Sequence, residues 1–511
     1  MNDWTAGYVA DIDYGYGYYK ELNPLRLRLA FLNAGLVFPA VEDACELGFG
    51  QGLSVNLHAA ASPVRWYGND FNPAQASFAR ELARVAGSGA ELTDQPFAEF
   101  CARADLPEFD FIGLHGIWSW VSDANRDIIV DFIARKLKVG GVAFLSYNAQ
   151  PGWAAMVPVR ELMLRHSELL GTAGHGIVAR IDGALGFVER LMATKPAFAR
   201  NNPQIPNKLK QIRGHERSYL AHEYFNRDWA PMTVASAAEL LRRAKLEFAC
   251  STSSLAPLDA VNLTDEQQAF LAELPDPLLR ELVYDFMVHR QFRCDYWVKG
   301  ARRLTALEQA EALREQRVVL VQPRADVSLK IHGQLGEGMI EGEAYAPVLD
   351  ALADHRARTI GQLEQIGRER GLDFAAVVAA TLALAGIGAV APAQDEAAVE
   401  RARPRTAAIN QFLARKARSS NDFHFLASPV TGGGIAVDRL HQLFLLARAR
   451  GEEGPRGWAA DAWRFFEMHG QRLKKDGREL ETAEANLAEL GERAWRFAER
   501  HVPLLEALQV G

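Results

Sequence analysis

Short runs of continuously apolar residues alternate with stretches in which apolar positions recur every three or four residues. The runs at 44–47, 64–69, 90–93, 109–114 and 142–147 predict five strands. Helical spacing at 54–61, 73–85 and 123–137, and a short helix through Phe97 and Phe100, separates them. Strands without polar alternation are buried on both faces, so this order predicts an α/β, Rossmann-like domain with a mainly parallel sheet. Asn23 followed by Pro24 marks a helix start before it, and Gly140-Gly141 is expected to turn the chain into the fifth strand.

After Pro151 the pattern becomes mostly helical as far as Trp229, with loop signals at Lys195-Pro196, Asn201-Asn202-Pro203 and Ile205-Pro206. The stretch reads as an insertion, expected as a lid, before a helix at 236–244 and a strand at 246–251. A second helical insertion at 264–290 precedes a last strand at 295–299. The expected division is an aromatic N-terminal segment and helix (1–36), a catalytic domain (37–305) with insertions at about 151–230 and 259–292, a connecting segment (306–345), and a mainly helical C-terminal domain (346–511). Within the last, the helix pair 359–370 and 374–385 followed by Gly388 and an apolar triplet suggests a winged-helix-like unit near 350–393. Its second helix carries no lysine or arginine to reach phosphate or bases, which speaks against DNA binding. The run at 374–393 is alanine-rich, broken by Gly386 and Gly388 and closed by Pro392, as a buried helix, turn and strand rather than a membrane span.

The strongest chemical signal follows the first strand. Glu46-Leu-Gly48-Phe-Gly50-Gln-Gly52 places glycines at every second position, as a turn does when a ligand must touch bare backbone. The dinucleotide fingerprint requires a glycine where Leu53 stands, and a phosphate-cradling loop requires a lysine that this loop lacks. Asp70 closes the second strand, where a carboxylate accepts both hydroxyls of a ribose. A lysine-free loop beside Glu46 suits a nucleoside with a cationic tail, and the ligand so described is S-adenosylmethionine. Ligands in such sheets lie beyond the carboxyl ends of the strands, which nominates Glu46, Asp70, Asp94 and Gln95, Leu114 to Trp118, and Tyr147 with Asn148 together.

Composition narrows the classes further. The 511 residues, 49 % of them hydrophobic, suit two or three folded domains, and the net charge of −7 argues against a general nucleic-acid or anionic-membrane surface. Four scattered cysteines form no metal or disulfide pattern, and no metal is expected. The N-terminus lacks a signal-peptide layout, so a cytoplasmic location is expected. Its five tyrosines, Tyr8, Tyr14, Tyr16, Tyr18 and Tyr19, allow two readings, a cover over the cofactor or an aromatic clasp on the core. Ser428-Pro-Val-Thr-Gly-Gly-Gly434 is expected as an ordered turn.

The glycine loop, the Asp70 strand, Phe109-Asp110-Phe111-Ile112 and Gly140-Gly141-Val142 resemble the ordered landmarks of class I S-adenosylmethionine-dependent methyltransferases. His115-Gly-Ile-Trp-Ser-Trp-Val121 and Ser146-Tyr-Asn-Ala-Gln-Pro-Gly-Trp153 are similar to a bacterial subgroup with a methyltransferase regulatory domain, which includes rickettsial-type protein lysine methyltransferases. Phe49 stands where many class I enzymes carry a small residue. The resemblance implies that Gly48, Gly50 and Gly52 approach the methionine and ribose, Glu46 supports the amino-acid end, and Asp70 holds the ribose. It further implies Asp94 and Gln95 at the adenine amino group, Phe71 beside the ring, and Leu114 and His115 near the methionine portion. Tyr147, His115 and Asn148 are the catalytic candidates; Tyr8, Tyr14, Tyr18, Trp118 and Trp153 are the acceptor-pocket candidates.

The function expected is methyl transfer by in-line attack to a protein side-chain amine, a lysine, giving S-adenosylhomocysteine. The alternatives are a methyltransferase for a small molecule or sugar, or a non-catalytic cofactor-binding interaction protein. A protein acceptor is the partner expected, without nucleic acid or membrane insertion, and a dimer is allowed.

Overall fold

A computed structural model describes residues 5, 7–9, 12, 15–171, 176–252, 259–340 and 342–511. Helix α1 (Pro24–Asn33) begins with Asn23 accepting the Leu25 amide at 2.9 Å and with proline at its first position. Then β1 (Asp43–Leu47), α2 (Leu53–Ala61), β2 (Arg65–Asn69), α3 (Pro73–Ala86), β3 (Glu91–Thr93), α4 (Phe97–Phe100), β4 (Phe109–Leu114), α5 (Asp123–Lys136) and β5 (Leu137–Asn148) alternate strand and helix. Two later strands, β6 (Leu246–Ser251) and β7 (Phe292–Lys299), complete a seven-stranded sheet ordered β3-β2-β1-β4-β5-β7-β6. β7 runs antiparallel to both of its neighbours.

All five residues of β1 are buried, because helices cover both faces of the sheet. Ala44 packs with α1, Trp66 and Phe111 on one side, while Cys45 and Leu47 pack with Phe100, Ile112 and Phe132 on the other. Chain order reverses about β1, whose neighbours are β2 and β4, and the crevice of such a sheet opens beyond the strand ends at that point. The pairing puts Glu46 opposite both Gly68 and Gly113, level with the last residues of each strand.

One element differs from its sequence expectation in a way that matters for the site. The Gly140-Gly141 pair does not precede β5; it lies inside it. Gly140 takes φ +83°, and the register with β4 jumps from Phe109 opposite Leu137 to Phe111 opposite Val142. Glycine tolerates the left-handed backbone of such a bulge, so the strand continues through it to Asn148.

The first insertion consists of α6 (Val157–Leu169), α7 (Ile177–Ala193), α8 (Ala197–Asn201), α9 (Ile205–Arg213) and α10 (Arg217–Tyr224), with a small core of its own around Trp153, Met163, Leu185, Ile212 and Leu220. Helix α11 (Val234–Arg242) returns the chain to β6. Farther on, the strand Arg317–Leu320 pairs antiparallel with Arg358–Thr359 and Val390–Pro392. The helices Tyr345–Ala351, Ile360–Arg368 and Phe374–Gly386 pack on these strands. The unit expected near 350–393 therefore takes its central strand from the segment read as a link. The 428–434 turn closes a hairpin of Phe425–Ser428 and Gly433–Ala436. A single hydrophobic core joins this hairpin and the C-terminal helices to Leu53, Leu57 and Ala61 of α2 and Leu82 of α3. Among the described residues no helix is long and apolar enough to cross a membrane.

Candidate functional site

Between β1 and α2 the chain turns through Gly48, Gly50 and Gly52 at φ +70°, +58° and +70°, a left-handed backbone that side chains other than glycine resist. The loop is tied to the end of β2. The Gly48 amide donates to the Asn69 carbonyl at 2.8 Å, and the Gly50 amide donates to Asp70 Oδ2 at 2.9 Å. The other carboxylate oxygen of Asp70 accepts the Asn72 amide at 2.9 Å. Gly68 allows this closeness, since a Cβ there would lie 2.6 Å from the Glu46 carbonyl oxygen.

These residues face a cleft of about 230 Å³. The glycine loop and the ends of β2 and β3 contribute Gly48, Gly50, Gly52, Asn69, Asp70, Phe71, Pro96 and Phe97. The segment after β4 contributes His115, Ile117, Trp120 and Asn125, and the loop after α10 contributes Asn226, Arg227 and Asp228. The N-terminal segment supplies Tyr8 and Tyr19. It is pinned there by the Val9 amide donating to Asn226 Oδ1 at 2.8 Å and the Arg227 amide donating to the Gly7 carbonyl at 2.9 Å. Tyr8 meets Phe71 edge-on at 5.7 Å, and Tyr19 stacks on His115 at 3.6 Å.

Burial dominates the electrostatics. It pushes the Asp70 carboxyl up to about 6, against the two amide hydrogen bonds that favour the ion. Burial, and then the charge of Asp70, push Glu46 up to about 8. His115 is pushed down to about 4 by desolvation, so its ring is neutral at pH 7. Beside the cleft, Glu46 Oε2, Asn69 Oδ1 and Gln95 Oε1 are buried without a hydrogen-bond partner among the described residues. Buried polar atoms normally have partners, and of these three residues Asn69 lines the cleft itself, which suits a polar ligand there.

Of the residues nominated from sequence, Gly48, Gly50, Gly52, Asp70, Phe71, His115 and Tyr8 meet in this cleft. Glu46 lies behind it, fully buried at the end of β1, and Gln95 stands beside it with the orphaned oxygen. Leu114 points into the core shared with Phe132 and Ile112. Asp94 is exposed and pairs with Arg80 at 3.6 Å. Tyr147 and Asn148 lie elsewhere, because β5 runs on to Asn148 and keeps both inside the sheet, opposite Arg293 and Phe292. The Tyr147 hydroxyl donates to Asp295 at 2.8 Å, within a buried network in which Arg293 bonds Asp285, Asp295 and Glu281. Burial and the adjacent Asp295 hold that phenol well above its ordinary value. Asn148 Oδ1 accepts the Trp229 indole at 3.3 Å. Trp118 is core, its indole nitrogen 3.2 Å from Met232 Sδ, and Trp153 donates to the Gln291 carbonyl at 2.8 Å. Tyr18 leaves the cleft for the C-terminal hairpin, packing on His58 and Phe425. Tyr14 lies outside the described residues.

Three cleft residues, Asn69, Asn226 and Asp228, carry no nomination from the sequence, while Tyr19 belongs to the N-terminal tyrosines and Trp120 to the motif after β4. A polar and aromatic run stands at His222 to Asn226, but nothing local in the sequence ties it to a glycine loop far away in the chain. Among the described residues no group of three or more His, Cys, Asp or Glu side chains is placed to hold a metal ion.

Residues 216–299 match the family model described as a predicted methyltransferase regulatory domain. That match starts at the N-cap of α10, takes in the loop at the cleft, and ends with β7, so the matched segment supplies two strands of the central sheet. The fold is similar to that of PKMT2 from Rickettsia typhi, solved in complex with AdoHcy, with a TM-score of 0.71 and 18 % identity over 98 % of this chain and 100 % of that one. An uncharacterized protein of Rickettsia prowazekii, RP789, is 27 % identical over 54 % of this chain and 49 % of its own. An uncharacterized protein of Synechocystis, sll1526, is 39 % identical over 99 % of both chains. The chain thus belongs to the family of Synechocystis sll1526, built on a class I methyltransferase fold with a methyltransferase regulatory domain.

Proposed function

We propose that the protein is an S-adenosylmethionine-dependent methyltransferase whose acceptor is the side-chain amine of a protein lysine. The observation that carries the donor is the juxtaposition of Asp70 and the glycine loop, the carboxylate bonded to the Gly50 amide in the same cleft. Asp70 keeps lone pairs on both oxygens for the ribose hydroxyls. The orphaned Gln95 Oε1 suits the adenine amino group, Asn69 Oδ1 another donor of the nucleoside, and Glu46 the cationic amino-acid end. The AdoHcy held by the Rickettsia typhi protein supports the same ligand. When bound, S-adenosylmethionine supplies a methyl group already activated by its sulfonium, so displacement needs in-line alignment above all, an effect worth up to roughly 7–11 kcal/mol.

The chain's own contribution is to bind, orient and exclude water. Tyr8, Tyr19 and Trp120 give the cleft aromatic walls, which favour a neutral amine over a hydrated ammonium. A free lysine amine with pKa near 10.4 costs about 4–5 kcal/mol to deprotonate at pH 7, and desolvation lowers that cost. The similarity of the motifs after β4 and β5 to rickettsial-type protein lysine methyltransferases supports this acceptor.

Methyl-labelled S-adenosylmethionine incubated with the protein and cell lysate tests the whole reading. Label is expected in protein bands, released on hydrolysis as methylated lysine. Label confined to small molecules removes the acceptor assignment, and binding without transfer removes the activity. For the donor site, Asp70→Asn loses the charged acceptor of two hydroxyls, and S-adenosylhomocysteine affinity is expected to fall about tenfold to a hundredfold. The parent's affinity falls as pH drops through about 6, where Asp70 protonates, and the asparagine variant lacks that step. Equal titration curves for parent and variant would remove Asp70 from the site.

A further inference from the structure

We infer that Ser146 fixes His115 in the tautomer that carries its hydrogen on Nε2, so that His115 donates a hydrogen bond to an oxygen of the bound ligand and does not act as a general base. The identity of that ligand rests on the methyltransferase reading; the tautomer does not. Ser146 lies in β5 and is fully buried. Its oxygen accepts the Gly116 amide at 2.7 Å. The serine hydrogen needs an acceptor of its own, and among the described residues the one in reach is His115 Nδ1 at 3.3 Å. An imidazole nitrogen that accepts carries no hydrogen, so in the neutral ring Nε2 carries it. The opposite assignment sends two donors into the serine oxygen and strands a buried hydroxyl hydrogen, an arrangement folded proteins avoid.

The ring is held in place while it does this. Tyr19 stacks on it at 3.6 Å and 23°, and Phe144 lies parallel to it within 1° at 6.1 Å. His115 lines the cleft, and with Nδ1 committed to β5 the nitrogen left to the ring for a ligand is Nε2. Burial keeps the ring neutral at pH 7, so the donor is an uncharged N–H. Such a group cannot take a proton from an incoming nucleophile. It matches a lone pair on oxygen, and two sources bring one into this cleft: the carboxylate of an amino-acid-tailed nucleoside, or an oxygen of the acceptor molecule. Ser146 acts only through His115 and is a positioning residue.

The test uses the full chain labelled with ¹⁵N-histidine, in which long-range ¹H–¹⁵N spectra separate Nδ1–H from Nε2–H rings. The signals that vanish in His115→Gln are those of His115. Expected is an Nε2–H ring in the parent and in Ser146→Thr, which keeps the hydroxyl, and an Nδ1–H population appearing in Ser146→Ala. An Nδ1–H ring in the parent overturns the proposal. Binding and turnover then locate the oxygen. His115→Ala is expected to weaken S-adenosylhomocysteine binding about tenfold, and His115→Gln, whose amide offers a hydrogen near the same position, to recover most of the loss. If the oxygen belongs to the acceptor, the affinity holds and the lysate concentration for half-maximal methyl transfer rises instead, again with recovery by glutamine. Glutamine as damaging as alanine in both measurements overturns the donor role. A parent chain that neither binds S-adenosylhomocysteine nor transfers methyl groups refutes the methyltransferase reading and leaves the tautomer to be decided by the spectra.

Discussion

At the scale of single residues, Glu46 is a carboxyl in a place that resists its charge. Its ordinary value is 4.5, and in the fold it titrates near 8 because burial and the neighbouring Asp70 both oppose ionisation. Folding takes up a proton between those values, so the stability it contributes is complete below pH 4.5 and is lost as pH rises through 8. Glu46→Gln has no such proton to lose. The ligand-free variant is expected to melt above the parent at pH 8 and close to it at pH 5, and an equal difference at both would refute the assignment. Tyr147 makes the complementary case. Its sequence position at a strand end looked catalytic, yet its hydroxyl serves Asp295 in a network that Arg293 already anchors. Tyr147→Phe is therefore expected to cost about 1 kcal/mol in stability, read by denaturant unfolding, and to leave the pH profile of methyl transfer unchanged. Loss of the limb in which the rate rises with pH would restore Tyr147 as a base.

Elements show which parts of this site the sequence exposes. The glycine loop, Asp70 and the strand after it are local: a strand end, a turn of three positive-φ glycines and a carboxylate all sit within 25 residues, and each has a spacing rule of its own (Glu46 to Asp70). The loop after α10 is different. Asn226 reaches the cleft because α6 to α10 fold back on themselves around Trp153 and Leu185, a packing that no local pattern encodes. The same holds for Tyr8 and Tyr18, ten residues apart and chemically alike, of which one faces the cleft and the other the C-terminal hairpin. β5 misled for a simpler reason, since a glycine pair reads equally well as a turn or a bulge, and only the pairing with β4 decides. Asn226 is also where the N-terminal segment is fastened, accepting from Val9 and donating from Nδ2 to the His222 carbonyl at 2.6 Å. Asn226→Ala is expected to speed S-adenosylhomocysteine release about two- to tenfold, as one hydrogen bond of the cover is lost. Displacement followed by stopped-flow fluorescence measures it, and an unchanged off-rate would mean that the segment does not cover the ligand.

Across the whole molecule, the N-terminal segment joins two regions that the sequence separates by some four hundred residues (Tyr18 to Gly434). Tyr18 packs against the hairpin so tightly that a Cβ on Gly434 would lie 2.9 Å from its ring. One residue on, Tyr19 stacks on His115, with its amide donating to Ser54 Oγ at 3.2 Å and its carbonyl 3.1 Å from His58 Nε2. The contacts to the hairpin and to the cleft are thus one peptide unit apart, and the hairpin shares its core with α2 and α3. Gly434→Ala overpacks this contact, and such changes cost about 1–3 kcal/mol where the surroundings cannot relax. Part of that cost is expected to appear as a loss of S-adenosylhomocysteine affinity, although Gly434 is no part of the cleft. The double-mutant cycle with Tyr18→Ala separates coupling from general damage: with the ring removed, Gly434→Ala has nothing to displace and its effect on affinity should vanish. If the two substitutions instead add, the C-terminal hairpin does not communicate with the cleft along this path.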